Sequence, residues 1–185
     1  MGIALYYYYA ETGFQHHAFK VEENGLVELQ KKYIISDIEL ISQDLLFFSK
    51  HHNVIGLFSN GETIDSRSKE LLQKELLLFS ATQKLYDQIR VLDKNGMEIV
   101  RVNFNNNNPS IVPDSKLQNK KQRYYFSDTI QLERGELFVS PLDLNIERRQ
   151  IEQPLKPMIR FGTPVFDHLG RKSGIVLLNY LGKHL

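Results

Sequence analysis

The chain has 185 residues, 42% of them apolar and 24% charged, which suits one folded domain or a domain with a long helical attachment and excludes a disordered segment. Its 23 basic and 22 acidic residues give a formal charge of +1, too little to draw the whole chain to nucleic acid or anionic lipid. It contains no cysteine, which excludes disulfides and thiolate metal sites and leaves the compartment open.

At the start, Gly2-Ile3-Ala4-Leu5 leads into Tyr6, Tyr7, Tyr8 and Tyr9, an apolar tip followed by rings that favour the level of lipid headgroups. The apolar stretch is far shorter than the roughly 20 residues that span a bilayer, and it lacks the basic start and cleavage pattern of a signal peptide. Residues 1–11 are expected to be the end of a transmembrane helix; an ordinary helix start with a tyrosine run is the other reading. From about Thr12 to His52 no proline intervenes, and Val27, Ile34, Ile38, Ile41, Leu45 and Phe48 recur at helical spacing, predicting one long helix. Leu26, Leu40, Leu46 and Phe47 add to this stripe, which is wider toward the C-terminal end than a two-stranded coiled coil requires. The first half is expected to pair with another helix and the second half to pack on a domain.

Asn60-Gly61 signals a turn, and from Ser66 to Thr82 a second helical pattern places Leu71, Leu72, Leu76, Leu77 and Phe79 on its buried side. The period then changes to two. Gln88 to Leu92 and Glu98 to Phe104 flank the turn Asp93-Lys94-Asn95-Gly96, which predicts a β-hairpin. The polar stretch from Asn105 to about Arg134, with Pro109 and Pro113, reads as an insert that is functional or carries short helices of its own. Three more strands follow, around Glu136–Ser140, Met158–Phe166 and Gly174–Tyr180, the last two joined by a hairpin loop. Strands are thus expected near 87–93, 97–104, 135–141, 157–167 and 173–181. The pattern is α+β: a five-stranded antiparallel sheet over 85–182, preceded by a long and a short helix over 12–84.

Candidate catalytic chemistry is missing. Gly170-Arg171-Lys172-Ser173-Gly174 lacks the glycine before the lysine that a phosphate loop needs, and is explained as a turn. His16-His17 and His51-His52 are adjacent on a helix, where neighbours point about 100° apart, so they read as solvated histidines and not as a metal site. No G-x-S-x-G elbow or H-E-x-x-H pair occurs. No catalytic residue, metal or cofactor is predicted, and the chain is expected not to be an enzyme.

A set of runs in the second half carries more information. These are Arg123-Tyr124-Tyr125-Phe126, Gly135 to Asn145 with "Ser-Pro-Leu-Asp-Leu-Asn" at its end, Pro157-Met158-Ile159-Arg160 with Thr163-Pro164-Val165-Phe166-Asp167, and Gly174 to Asn179. Over about Tyr86 to Tyr180 they resemble the membrane-distal module of double Cache domains. Such PAS-like sensors lie outside the membrane in bacterial sensor histidine kinases, diguanylate cyclases and chemoreceptors. The resemblance implies a sheet in the order 2-1-5-4-3 with the long helix behind it, and an insert that encloses a small-molecule pocket on the other face. It implies one sensor module of a two-component or chemotaxis receptor, periplasmic or extracellular and anchored in the inner membrane, with its output domain elsewhere. It also implies a homodimer through the N-terminal helix, with Val27, Ile34, Ile38 and Ile41 as the seam, and no nucleic-acid partner.

The same resemblance makes Arg123 the first candidate for binding a carboxylate, which a guanidinium fork matches with two charge-assisted hydrogen bonds. Tyr125 offers a ring and a hydroxyl beside it. Ser140, Asp143 and Asn145 follow the third strand and suit an amine or hydroxyl, although Asp143 and Asn145 also fit as caps of their own turn. A surface ion pair, with Glu147 as the candidate partner, is the alternative for Arg123. Arg160 alternates with apolar Ile159 and Phe161, and points either into the same pocket or to solvent. The ligand would be a carboxylate or an amino acid. The competing function class is a protein-interaction or spacer module whose pocket is filled by its own side chains.

Overall fold

The proline-free N-terminal stretch forms a single helix of 49 residues, α1 (Gly2–Lys50). This computed structural model describes the backbone of residues 2–59, 63–105, 107–147, 150, 151, 153 and 155–182, and the side chains of these from residue 25 onward except 146, 147 and 150. The tyrosine run and His16-His17 lie outside the described side chains. Two compact units divide the chain, residues 1–40 and residues 41–185. In the first unit Leu26, Val27, Tyr33, Ile34, Ile35 and Ile38 are all exposed. Among the described residues no helix is long and apolar enough to cross a membrane.

The second unit takes the rest of the helical stripe into its core. Ile41, Leu45 and Phe48 are buried there with Leu57, Leu72 and Leu76. Ile41, expected in a seam between two chains, is therefore a core residue: the apolar face is one stripe, and from Ile41 onward the domain occupies it. After Lys50 the extended backbone of His51 caps α2 (His52–Gly56), its Nδ1 accepting from the Asn53 N–H at 3.4 Å. His51 is half-buried and 3.7 Å from Glu75, and burial lowers its pKa against the opposing pull of that carboxylate. It is not the solvated residue expected; His52 is exposed.

The next helix, α3 (Ser66–Gln83), starts at Asp65, whose carboxylate accepts from the Ser68 N–H at 2.7 Å. Leu72, Leu76 and Ser80 form its buried stripe. Leu71, expected inside, is exposed, because one residue of helix turns it about 100° off that stripe.

The strands are β1 (Tyr86–Asp93), β2 (Glu98–Asn105), β3 (Asn108–Ile111), β4 (Phe138–Val139), β5 (Asp143–Leu144), β6 (Ile146–Glu147), β7 (Gln150–Ile151), β8 (Pro157–Phe166) and β9 (Lys172–Leu181), with helix α4 (Tyr124–Gln131) between β3 and β4. The main sheet is seven-stranded, in the order β3-β2-β1-β9-β8-β4 with β5 also on β8, and every pair is antiparallel. Strands β6 and β7 make a separate hairpin.

Two differences from the expected five strands have local causes. Within the asparagine run, read as the start of the insert, Asn105 on β2 stands opposite Asn108 on β3, and Asn107 is at φ +61, a conformation asparagine tolerates better than most residues. The expected strand 135–141 shrinks to β4 because Pro141 has no N–H for the ladder, and pairing with β8 resumes only at β5.

Side chains alternate across the sheet. Ile89 and Val91, Val100 and Val102, Phe161 and Val165, and Val176 and Leu178 point to the face covered by the end of α1, by α2 and by α3. On the opposite face Leu92, Ile175 and Leu177 pack on Tyr125 and Phe126 of α4. Gly162 permits that packing: a Cβ there would lie 2.5 Å from the Thr129 hydroxyl.

Candidate functional site

The face beneath α4 is apolar at one end and polar at the other. Successive register pairs set Asn103 opposite Gln88, Gln88 opposite Asn179, and Asn179 opposite Arg160, a polar row across β2, β1, β9 and β8. The next row begins with Arg101 and Arg90 and ends with Leu177 and Gly162. Arg90 and Arg160 are 2% and 1% exposed, so these are buried charges and require partners.

Glu98 supplies one. Its carboxylate, brought to this face by a bulge after Val91, lies 3.6 Å from Arg90 Nε and 3.2 Å from Arg101 Nη1, and also accepts from the Gln118 N–H at 3.0 Å. Arg160 turns inward to the covering segment. Its Nη1 pairs with Asp143 Oδ1, and Nη2 is 3.4 Å from Asn145 Oδ1. The other Asp143 oxygen accepts from the Tyr124 hydroxyl at 2.6 Å, and burial followed by this bond raises the Tyr124 pKa.

Tyr125 sits at the centre. Its hydroxyl accepts from Arg90 Nη1 at 3.2 Å, the Arg160 guanidinium lies 5.1 Å from its ring centroid, and that of Arg123 lies 5.7 Å away. The placement follows from the helix start. Arg123 holds the extended position before α4, which leaves its side chain half-exposed at the rim while Tyr125 faces the sheet. Among the described residues Arg123 makes no ion pair; the side chain of Glu147, its candidate partner, lies outside them.

Five of the six expected residues are thus joined: Tyr125, Asp143, Asn145 and Ser140 all touch Arg160. Ser140 does so through the backbone, its hydroxyl accepting from the Arg160 N–H at 2.9 Å and donating to the Pro141 carbonyl at 2.7 Å, which makes it a brace for β8. Among the described residues the Arg123 side chain reaches only the Tyr125 ring. For Asp143 and Asn145, the side-chain oxygens accept from Arg160. Sequence reasoning missed Gln88, Arg90, Glu98, Arg101 and Asn179. The available signal was Gln88 and Arg90 alternating with Ile89 and Val91, which reads equally well as a solvated strand face.

Beside the cluster, Lys156 accepts at its carbonyl from the Asn145 N–H, 3.1 Å, while its ammonium bonds Asp87 at 3.1 Å and Asn105 at 3.0 Å. A cavity of about 310 Å³ opens there, lined by Asp87, Asn105, Leu155 and Lys156.

Residues 30–181 match the family model described as the sensor domain of bacterial histidine kinases. No curated protein matches the chain. Among solved structures, a domain of a sensory box/GGDEF family protein from Vibrio parahaemolyticus is similar at 23% identity and TM-score 0.69, over 82% of this chain and 55% of that one. The sensor domain of the V. cholerae histidine kinase DctB gives 14% identity and TM-score 0.62, over 90% and 57%. The ligand-binding domain of the Campylobacter jejuni chemoreceptor Tlp3, solved with 4-methylisoleucine, gives 10% identity and TM-score 0.59, over 84% and 56%. The chain therefore spans little more than half the length of the structures it resembles.

Proposed function

The chain belongs to the bacterial histidine kinase sensor-domain family, and on that premise we propose that it detects a small molecule carrying a carboxylate, bound between α4 and the sheet. One observation carries the reading: the guanidinium groups of Arg90, Arg123 and Arg160 converge on Tyr125. Arg123 contributes a half-exposed cation at the rim, where a carboxylate could add two charge-assisted bonds. The cavity next to Asn145 is at the lower end of the range that holds small ligands, about 300–1,000 Å³. The Tlp3 domain has been solved with 4-methylisoleucine, which supports an amino acid as one candidate. In this reading the domain faces the periplasm or the cell exterior, the helix α1 pairs with its copy in a second chain, and the signal passes to an output domain outside this sequence. No catalytic role is assigned to it.

A second reading has its own observation. Asp143 and Asn145 already occupy the Arg160 fork, as expected of an interaction or spacer module whose pocket is filled by its own side chains. A thermal-shift screen of amino acids, carboxylates and amines separates the two. A carboxylate that raises Tm of the native protein and not of Arg123→Ala is the expected result. Equal shifts in both proteins would remove Arg123 from the site, and no shift from any class would favour the interaction module.

A further inference from the structure

We propose a second binding site at the end of the sheet where the β1–β2 and β8–β9 turns meet, one that takes a phosphomonoester carried on an apolar or aromatic group. It shares no lining residue with the face beneath α4 and stands whether or not that face binds a carboxylate.

A cavity of about 490 Å³ lies there, within the range of small-ligand sites. Its apolar wall is Phe58, which follows α2, and Ile64, which precedes α3. Phe58 reaches this position because residue 174 has no side chain: a Cβ on Gly174 would lie 3.0 Å from the Phe58 ring and closer still to the Leu92 carbonyl oxygen. The polar wall comes from two turns held in the same way. Asp93 Oδ1 accepts from the Asn95 and Met97 N–H groups, both at 2.8 Å. Asp167 Oδ1 accepts from the N–H groups of Leu169 at 2.9 Å and Arg171 at 2.8 Å. Gly96 at φ +81 and Gly170 at φ +76 complete these turns in a conformation that side-chain-bearing residues rarely adopt.

Both aspartates line the cavity, but these oxygens are committed to their own turns, and Asp167 Oδ2 accepts from Arg171 Nε at 2.8 Å. That bond holds the Arg171 guanidinium in place, and among the described residues its two Nη groups have no partner. Lys94, exposed on the β1–β2 turn, makes no ion pair among the described residues. Lys172 has Glu133 at 3.9 Å, a carboxylate 79% exposed and therefore a weak partner. The wall thus offers a ligand donors: a guanidinium fork and two ammonium groups, mounted on braced turns beside an aromatic ring. A phosphomonoester brings about −1.5 to −2 charges at neutral pH and three acceptor oxygens, enough to engage all three cations at once, where a carboxylate brings one charge and two oxygens. An apolar group attached to it would cover Phe58 and Ile64.

The test is calorimetric titration of phenyl phosphate and inorganic phosphate into the native protein, Arg171→Gln, Lys94→Gln and Arg123→Ala, together with flotation on phosphatidylcholine vesicles with and without phosphatidic acid. Phenyl phosphate should bind the native protein at least about tenfold more tightly than inorganic phosphate, because its ring covers the apolar wall. Arg171→Gln and Lys94→Gln, both at exposed positions, should retain the native circular dichroism spectrum and each weaken binding by at least about fivefold, while Arg123→Ala leaves it unchanged. Flotation that requires phosphatidic acid and is lost in the same two variants, without binding of soluble phenyl phosphate, would identify a lipid headgroup as the source of the phosphate. Neither binding nor flotation, native affinity in both Arg171→Gln and Lys94→Gln, or loss of binding in Arg123→Ala would overturn the site. Equal affinity for the two phosphates would overturn the apolar half of the ligand.

Discussion

At the scale of single residues, two carboxylates on opposite faces of the sheet behave differently. Asp143 is the anionic partner of a guanidinium that is 1% exposed. Its removal strands that charge, so Asp143→Ala should lower stability by about 1–3 kcal/mol, the usual cost of leaving a charged group without its hydrogen bond; urea denaturation would show it, and an unchanged midpoint would mean that Arg160 finds another partner. Asp44 accepts from the Tyr86 hydroxyl at 2.6 Å, and burial raises its pKa despite that bond. The folded state then holds the Asp44 proton more readily than the unfolded chain does. Its contribution to stability is greatest below the ordinary value of 3.8 and declines as pH rises through the raised folded value. Asp44→Asn removes that decline, so the Tm difference, variant minus native, should grow between about pH 4 and about pH 7. A constant difference would show that Asp44 does not titrate in this window.

At the scale of elements, α1 tests how one helix serves two environments. Leu45 is fully buried among Leu57, Leu72 and Leu76, whereas Val27 on the same stripe is 58% exposed. Leu45→Ala should cost about 2–5 kcal/mol through lost burial and a cavity, and Val27→Ala no more than about 0.5 kcal/mol in a single chain. Comparable losses at the two positions, measured by chemical denaturation at low protein concentration, would mean that Val27 is core as well. The sheet shows a similar economy. A period of two, applied to β1, separates Ile89 and Val91 from Gln88 and Arg90, and both sets end up buried because helices cover both faces. The polar set is the floor of the candidate site.

At the scale of the molecule, the exposed apolar residues of the first unit bear on assembly. Leu26, Val27, Ile34 and Ile38 present a stripe that a second copy of the helix could cover, with the spacing of a coiled-coil seam. Ile34→Asp should abolish dimer formation in sedimentation experiments and leave Tm of the monomer unchanged, because Ile34 is outside the core. Unfolding of that variant would show the stripe to be part of the domain.

The sequence by itself determined the local structure, for reasons that act over a few residues. The absence of proline and a repeat of three and four gave α1, the leucine pattern from Ser66 to Thr82 gave α3, and alternation around Asp93–Gly96 gave the β1–β2 hairpin. Family-specific runs pointed to the α+β sensor fold, and Arg123, Tyr125, Ser140, Asp143, Asn145 and Arg160 were its candidate binding residues, of which the fold gathers all but Arg123 around Arg160. What only the tertiary structure decided is which polar residues become buried. Gln88 and Arg90 lie far from Asn179 in the chain and resemble solvent-facing strand positions, and they join in one buried polar cluster only because β1 pairs with β9 and α4 closes over them. The same holds for Ile41 and Leu71, whose burial depends on where the neighbouring elements lie and not on the helical repeat that both obey.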